Sequence, residues 1–337
     1  MRDIVSTAVK GFRLGEPLVF KHLAIVPLFK GPEAPFEYLS MKTALARGFV
    51  EIGEVSEGGA VPNLKVINKG DKPVLLLDGE EVMGAKQNRV MNTSILLAAH
   101  SETVIPVSCT EQGRWNYNSR HFRESGNLMP ARSRMAKSSR VYASLYASRG
   151  YDAGQGDVWK EVHHYHASLG THSNSGAMAD AFAQRDDDLR DFLAAFPLQE
   201  GQKGLVVLLN GQPVGVDYLS SATAYADLHE KIVKSFAMEA LVQRVSGEVP
   251  HAADLAIEAH KILHSLSDAA ESPFQPVGLG EDLRYDGEQS GGAALVCEDS
   301  LIHLNIYPKA WSHASGTPHR QERENTFDLS GHIRRRF

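Results

Sequence analysis

The chain has 337 residues, 42% of them apolar and 23% charged, with a net charge of −6. That length buries at least one full core, with two domains as the first expectation, and the composition is ordinary for a globular protein. The mild negative charge excludes a basic nucleic-acid footprint, no apolar run approaches the roughly 20 residues of a membrane-spanning helix, and two distant cysteines exclude a disulfide framework.

The opening residues, MRDIVSTAVKGFRLGEP, lack the long apolar core of a secretory signal. A cytoplasmic location with reduced Cys109 and Cys297 is therefore expected, with neither nucleic acid nor membrane as a partner. VFKHLAIVPLF (19 to 29) reads as strand, and TALARGFVEIGEV (43 to 55) as a short helix running into a strand. NLKVINKGDKPVLLLDGEEV (63 to 82) holds two strands about the turn Asn68-Lys69-Gly70-Asp71. VMNTSILLAA and ETVIPVSCTE follow. Strands recurring every 8 to 12 residues suggest a sandwich, and the order also occurs in jelly rolls.

From about 116 the character changes. A polar, basic stretch leads to Pro130 and a helix over 131 to 148, then helices over 156 to 170 and 175 to 196. The last has Met178, Phe182, Leu189, Phe192, Leu193 and Phe196 at helical spacing and stops at Pro197. GQKGLVVLLNGQPVGVDYLS (201 to 220) is a hairpin whose Asn210-Gly211 suits a type I′ turn. Helices over 229 to 245 and 251 to 266 and a hairpin over 291 to 308 complete the pass. The expected class is α+β: a β-rich, jelly-roll- or sandwich-like domain over 1–116, a mixed helix and hairpin region over 117–310, and a polar, flexible tail over 311–337.

LDGEEVMGAKQNR (77 to 89), between two strands, is longer and more polar than a turn of about two to five residues requires. Lys86 and Arg89, with Gln87 and Asn88 between them and Asn92 just beyond, could clamp a phosphate or carboxylate. Gly84 permits close backbone approach, Arg114 is a second donor, and Trp115 could stack on a base or ribose face. A polar loop held by its own hydrogen bonds is the alternative. Glu80, Glu81 and Glu111 are the acid–base candidates, although ion-pairing with the loop cations explains them equally. Asp78-Gly79 reads as a tight turn, and Cys109, in a strand-like setting, as a small core residue. His163, His164, His166 and His172 cluster, and His163 and His166 share a helix face, but without a HExxH motif or cysteine partners surface histidines are expected, and no metal.

The pieces DGEE (78 to 81), GAKQNR (84 to 89), Asn92 and VSCTEQGRW (107 to 115) resemble the signature of the ARG and rhodanese-phosphatase-superfamily-associated protein family, where ARG means ADP-ribosylglycohydrolase. The likeness extends over roughly residues 15 to 310. It implies a role near enzymes that process NAD and ADP-ribose, and it carries over no catalytic residues. No P-loop, G-x-G-x-x-G turn or G-x-S-x-G elbow is present, and no cofactor is specified.

Three readings stand. The chain is an enzyme on an ADP-ribose-like nucleotide, with Lys86, Arg89 and Arg114 on phosphates and Glu80, Glu81 or Glu111 as acid or base. Or it binds such a nucleotide for a partner enzyme of NAD or ADP-ribose metabolism. Or it is a structural or protein-interaction module with a buried polar network. Anionic-ligand binding ranks first, and catalysis is left open. The pocket is expected at the strand ends of the first part, covered by Arg120, Arg123 or the Trp159 helix.

Overall fold

The structure is a computed structural model that describes residues 3–31, 33–56, 62–243 and 251–312. Helix α1 (Asp3–Gly11) precedes strands β1 (Arg13–Leu14), β2 (Leu18–Phe20), β3 (Leu23–Phe29) and β4 (Leu39–Ser40). Helix α2 (Met41–Ala46) leads to β5 (Val50–Glu54), β6 (Asn63–Asn68), β7 (Val74–Leu76), β8 (Glu80–Gly84), β9 (Arg89–Met91), β10 (Ile95–Leu97), β11 (Ser101–Cys109) and β12 (Phe122–Leu128). Helices α3 (Ala131–Tyr146), α4 (Gln155–Leu169), α5 (Met178–Gln184) and α6 (Asp186–Ala195) come next, then β13 (Gln202–Leu209) and β14 (Gln212–Leu219). Helices α7 (Ala222–Val242) and α8 (Ala252–His264), strands β15 (Ala270–Phe274), β16 (Glu281–Asp286), β17 (Ser290–Cys297) and β18 (Ser300–Pro308), and the short α9 (Lys309–Ser312) complete the chain. The class is α+β, with a β-rich N-terminal part followed by a mixed region. No helix among the described residues is long and apolar enough to cross a membrane.

A nine-stranded antiparallel sheet runs β1-β3-β13-β14-β18-β17-β16-β15, with β2 on β3. A six-stranded sheet runs β12-β8-β9-β11-β6-β5, and a three-stranded one β10-β7-β4. Two pairings cross residue 116: β3 lies against β13, and β12 against β8. The run GLVVLL is continuously apolar because both faces of β13 are covered. Leu205, Val207 and Leu209 join the core under α7, while Val206 and Leu208 join the core with α1 and α8. VLLL behaves alike: Leu75 and Leu77 enter the α7 core, and Val74 and Leu76 the core of the smaller sheets.

The hairpin turn is as its sequence requires, with φ of 50° at Asn210 and 76° at Gly211. Elsewhere the structure departs from the sequence reading. The helix expected over 175 to 196 breaks at Arg185, whose side chain bonds the Leu169 carbonyl and Asp188. Asp186, Asp187 and Asp188 then open α6, where the helix dipole favours acids. The helix expected from 229 begins at Ala222, because the Ser221 hydroxyl caps it by accepting from the Ala224 amide at 3.2 Å. The polar stretch after 116 contains β12, and the segment between the last two expected elements contains β15 and β16. Of the expected tail, Trp311 is buried in α9, and residues 313–337 lie outside the described residues.

A seam of buried charge joins the sheets. Arg134 of α3 donates to both carboxylate oxygens of Asp217 in β14, at 3.1 and 2.7 Å, and neither side chain is exposed. Lys137, one turn on, pairs with Asp78. Lys231 of α7 bonds Glu80 at 2.6 Å and also pairs with Glu124. Arg284 pairs with Asp282 at 2.7 Å and donates to the Thr93 hydroxyl at 2.7 Å. Gly79, at φ +85°, lets Arg134 pass, since a Cβ there would lie 2.4 Å from the arginine Cδ.

Asp217→Ala is expected to cost about 3–5 kcal/mol, because it strands a buried guanidinium, and the double exchange Arg134→Met/Asp217→Leu less. Urea denaturation of the three proteins measures this; a single exchange costing under about 1 kcal/mol would contradict it.

Burial pushes the Glu81 carboxyl from 4.5 up to about 7, against hydrogen bonds from Thr110 and Asn127. Burial likewise raises Glu239 to about 7, against its bonds to Tyr165 and the Arg132 amide. Both hold a proton more tightly folded than unfolded, so the stability they confer is complete below pH 4.5 and is lost as pH rises through about 7. Glu81→Gln is expected to remove part of that decline, on the order of 2 kcal/mol at the alkaline end. Melting temperatures from pH 5 to pH 8 test it, and parallel curves for variant and wild type would refute the protonated assignment.

Candidate functional site

GAKQNR bridges the end of β8 and the start of β9. Its backbone turns through Gly84 at φ 132° and Ala85 at φ 40°. A side chain at Gly84 would collide with Ser119 Oγ at 2.6 Å and the His121 carbonyl at 2.9 Å, so the 117–121 segment packs directly on the turn.

Arg114 fixes the loop from below. Its guanidinium donates to the Ala85 carbonyl at 2.7 Å, the Gly84 carbonyl at 3.3 Å and Asn88 Oδ1 at 3.1 Å. It also pairs with Glu111 at 2.6 Å. Glu111 in turn accepts from the Asn88 amide at 3.2 Å and the Ser175 hydroxyl at 2.9 Å. Burial alone would raise the Glu111 carboxyl, but the bonds from Arg114 and Ser175 outweigh it and hold the carboxyl below its ordinary value. This pair is a clamp that sets the loop's shape.

Arg89 is sealed. Its Nη1 donates to Gln87 Oε1 at 2.9 Å and Cys109 Sγ at 2.7 Å, while Nε and Nη2 have no hydrogen-bond partner. The Glu54 carboxyl lies 3.9 Å from Nη2, too far for a hydrogen bond. Burial lowers the Arg89 pKa, with Cys109 and Glu54 opposing. Burial also pushes the Cys109 thiol up to about 11, which fits a core residue and not a nucleophile. The Gln155 side chain holds that strand end, accepting from the Cys109 amide at 2.7 Å and donating to its carbonyl at 2.9 Å.

Two aromatic rings lie over Lys86, and one of them also lies over Arg89. Lys86 Nζ is 5.3 Å from the Trp115 centroid and 5.1 Å from that of Tyr117, and the Arg89 guanidinium is 5.7 Å from Trp115. Lys86 is only 9% exposed, whereas Trp115 is 43% and Tyr117 52% exposed. The rings thus face solvent over two covered cations. Tyr117 and Glu54 border a groove of about 810 Å³ whose walls include Gly53, Lys65, Arg120 and His121. That volume suits a small-molecule ligand.

The remaining sequence candidates lie in the seam or beside it. Glu80 is occupied by Lys231 and the Leu77 amide, and Glu81 by Thr110 and Asn127. Asn92 donates to the Tyr151 carbonyl at 2.9 Å and accepts from the Ser108 hydroxyl at 2.9 Å. The cavity among Asp78, Thr93, Asp282, Arg284 and His303 holds only about 10 Å³, room for about one water. The structure therefore gathers Lys86, Gln87, Asn88, Arg89, Glu111, Arg114 and Trp115 in one place and leaves Glu80 and Asn92 in another, with Glu81 linked to the first group through Thr110. Arg120 reaches the groove, and Arg123 contacts the Glu124 carbonyl. On α4, His163 bonds Gln112 and His166 bonds Thr171 and the Ala177 carbonyl; among the described residues no group of three or more potential ligands could hold a metal.

Sequence reasoning passed over Glu54, Tyr117 and Ser175. Glu54 carried a readable signal: strand alternation places it on the face of Val50 and Ile52, where an acid is out of place. Tyr117 and Ser175 carried none, because their positions depend on how separate segments pack.

Comparison with curated proteins and with solved structures returns no match. A family match covers residues 11–307, most of the chain, and is described as the ARG and Rhodanese-Phosphatase-superfamily-associated Protein domain. The chain belongs to that family.

Proposed function

We propose that the protein binds an anionic ligand bearing a planar ring, of the NAD- or ADP-ribose-derived nucleotide class, on the Trp115 and Tyr117 rings and in the groove that Tyr117 borders. The observation that carries this reading is the pair of half-exposed rings backed by Lys86 and Arg89. A cation behind an aromatic ring draws its electron density inward, so the outer face stacks favourably on an electron-rich base and tolerates nearby phosphate. Lys65 and Arg120 on the groove wall offer charge to that phosphate. Gln87, Asn88, Glu111 and Arg114 serve by holding the loop. The family description names ADP-ribosylglycohydrolase-related association, which agrees with such a ligand and with a partner enzyme of NAD or ADP-ribose metabolism.

A specific observation favours the structural reading for the other half of the signature. Asp78 and Glu80 are consumed by Lys137 and Lys231 in the seam, and Glu81 is buried without contact to the groove. These contacts support a fold-holding role for the three acids.

Tryptophan fluorescence checks the proposal, since Trp115 is the exposed one of the three tryptophans while Trp159 is half-buried and Trp311 buried. ADP-ribose, NAD and ADP are expected to quench it saturably. Trp115→Ala should weaken binding by about 1–3 kcal/mol, the worth of one base–aromatic stack, with Trp115→Phe retaining most of it. Calorimetry follows the variant that lacks the reporter. Absence of both quenching and heat with all three ligands would rule the proposal out.

A further inference from the structure

We infer that Gly53 opens a phosphate seat in the groove, between Lys65 of β6 and Arg120; the inference rests on the nucleotide reading above and deepens it. Strand β5 sends Val50 and Ile52 into the core, so Glu51 and Gly53 face the other way, onto the groove. On β6, Lys65 and Ile67 line the same groove. Gly53 is the direct cross-strand partner of Lys65, and Glu51 that of Ile67.

A glycine inside a strand weakens it, and three structural reasons commonly keep one there. A bulge is the first, but the β5–β6 register runs from Val50 to Glu54 without a shift. A left-handed backbone is the second, but Gly53 is not among the positive-φ residues. Close approach of another segment is the third, but a Cβ built at Gly53 meets nothing within 4 Å among the described residues. The space over Gly53 therefore opens on the groove, where a bound molecule can come close to the strand.

Charge identifies the occupant. Directly opposed side chains on one sheet face have Cβ atoms about 5 Å apart, so Lys65 borders the space that Gly53 leaves. Its Nζ lies 3.6 Å from Glu102, too far for a hydrogen bond, and both side chains are open to solvent. Lys69, and after it His121 and Arg120, hold the Glu51 carboxyl below its ordinary value. Arg120 and His121 are thus close to β5, and Glu51 already has its cation in Lys69, at 2.5 Å. Glu54 is closed off beside Arg89, with its side chain 4% exposed. Lys65 and Arg120 are left to face the groove with donors to offer, and a phosphoryl group accepts from both.

The test uses the full-length protein with adenosine, ADP and ADP-ribose as probes, read by calorimetry. Wild type is expected to bind ADP and ADP-ribose at least about tenfold more tightly than adenosine, the worth of one hydrogen bond to a charged group. Gly53→Val fills the seat and should lower ADP and ADP-ribose affinity by at least about tenfold, toward that of adenosine. Its melting temperature should equal or exceed that of wild type, because a β-branched side chain suits a strand and meets no neighbour here. A structural glycine behaves otherwise: a lower melting temperature with all three probes weakened together would overturn the inference. Lys65→Met keeps most of the side chain without its charge, and it should erode the preference for ADP over adenosine in the same way. Should Gly53→Val fail to fold, Lys65→Met decides alone, and a preference that survives it would count against the seat.

Other outcomes separate the two readings. Equal binding of adenosine and ADP by wild type, with Trp115-dependent affinity intact, overturns the phosphate seat and spares the ring platform. No binding of any probe removes both.

Discussion

The Arg134–Asp217 pair is the constraint on which the rest of the molecule depends. A guanidinium and a carboxylate with no access to water must find each other in one geometry, and this pair does so bidentately between α3 and β14. The desolvation of two ions is tolerable only when their geometry is good and their other lone pairs are occupied. Lys137 with Asp78, Lys231 with Glu80 and Arg284 with Asp282 add three more buried pairs nearby, so each of these acids has a cation beside it. Because α3 carries the cations for Asp217 in β14 and for Asp78 just before β8, and α7 the cation for Glu80 in β8, the seam fixes where the six-stranded sheet stands against the nine-stranded one. An apolar contact would tolerate a slide; a set of buried ion pairs does not.

From there the position of the loop follows. Asp78 and Glu80 are pinned, so β8 leaves the seam in a set direction and reaches Gly84 beneath the 117–121 segment. Arg114 and Glu111 then spend their hydrogen bonds on the loop's own backbone. Arg114 and Glu111 are in this way part of the loop's framework. What is left facing outward is a pair of aromatic rings, made electropositive from behind by cations that solvent barely reaches.

Legibility in the sequence followed the range of the forces involved. The β13–β14 and β17–β18 hairpins, the α8 helix and the polar loop between strands could be read because turn chemistry and apolar period are local. The break at Arg185 could not, since it depends on the carbonyl of Leu169 at the end of α4. Strands β15 and β16 were hidden because AESPF and EDLRYD look polar, yet Asp282 and Arg284 are two apart on one strand face and neutralise each other there. At the site, the sequence showed that Lys86, Arg89, Arg114 and Trp115 belong together. It could not show that Arg89 lies sealed under Trp115 or that Arg114 is committed to Glu111, because composition does not distinguish a buried cation from an exposed one.

The two acids beside the site, Glu81 and Glu111, show how environment divides like residues. Both sit near Thr110, and both are buried by the same fold. Glu111 meets a guanidinium and is held ionised; Glu81 meets only a hydroxyl and an amide, and burial raises it to about 7. The charge on Glu111 adds to burial in raising Glu81, since two ionised carboxylates would face each other through a water-poor interior. Glu81 therefore takes up its proton as pH falls through about 7, while Arg114 stays with Glu111 and Glu111 with the Asn88 amide that shapes the loop.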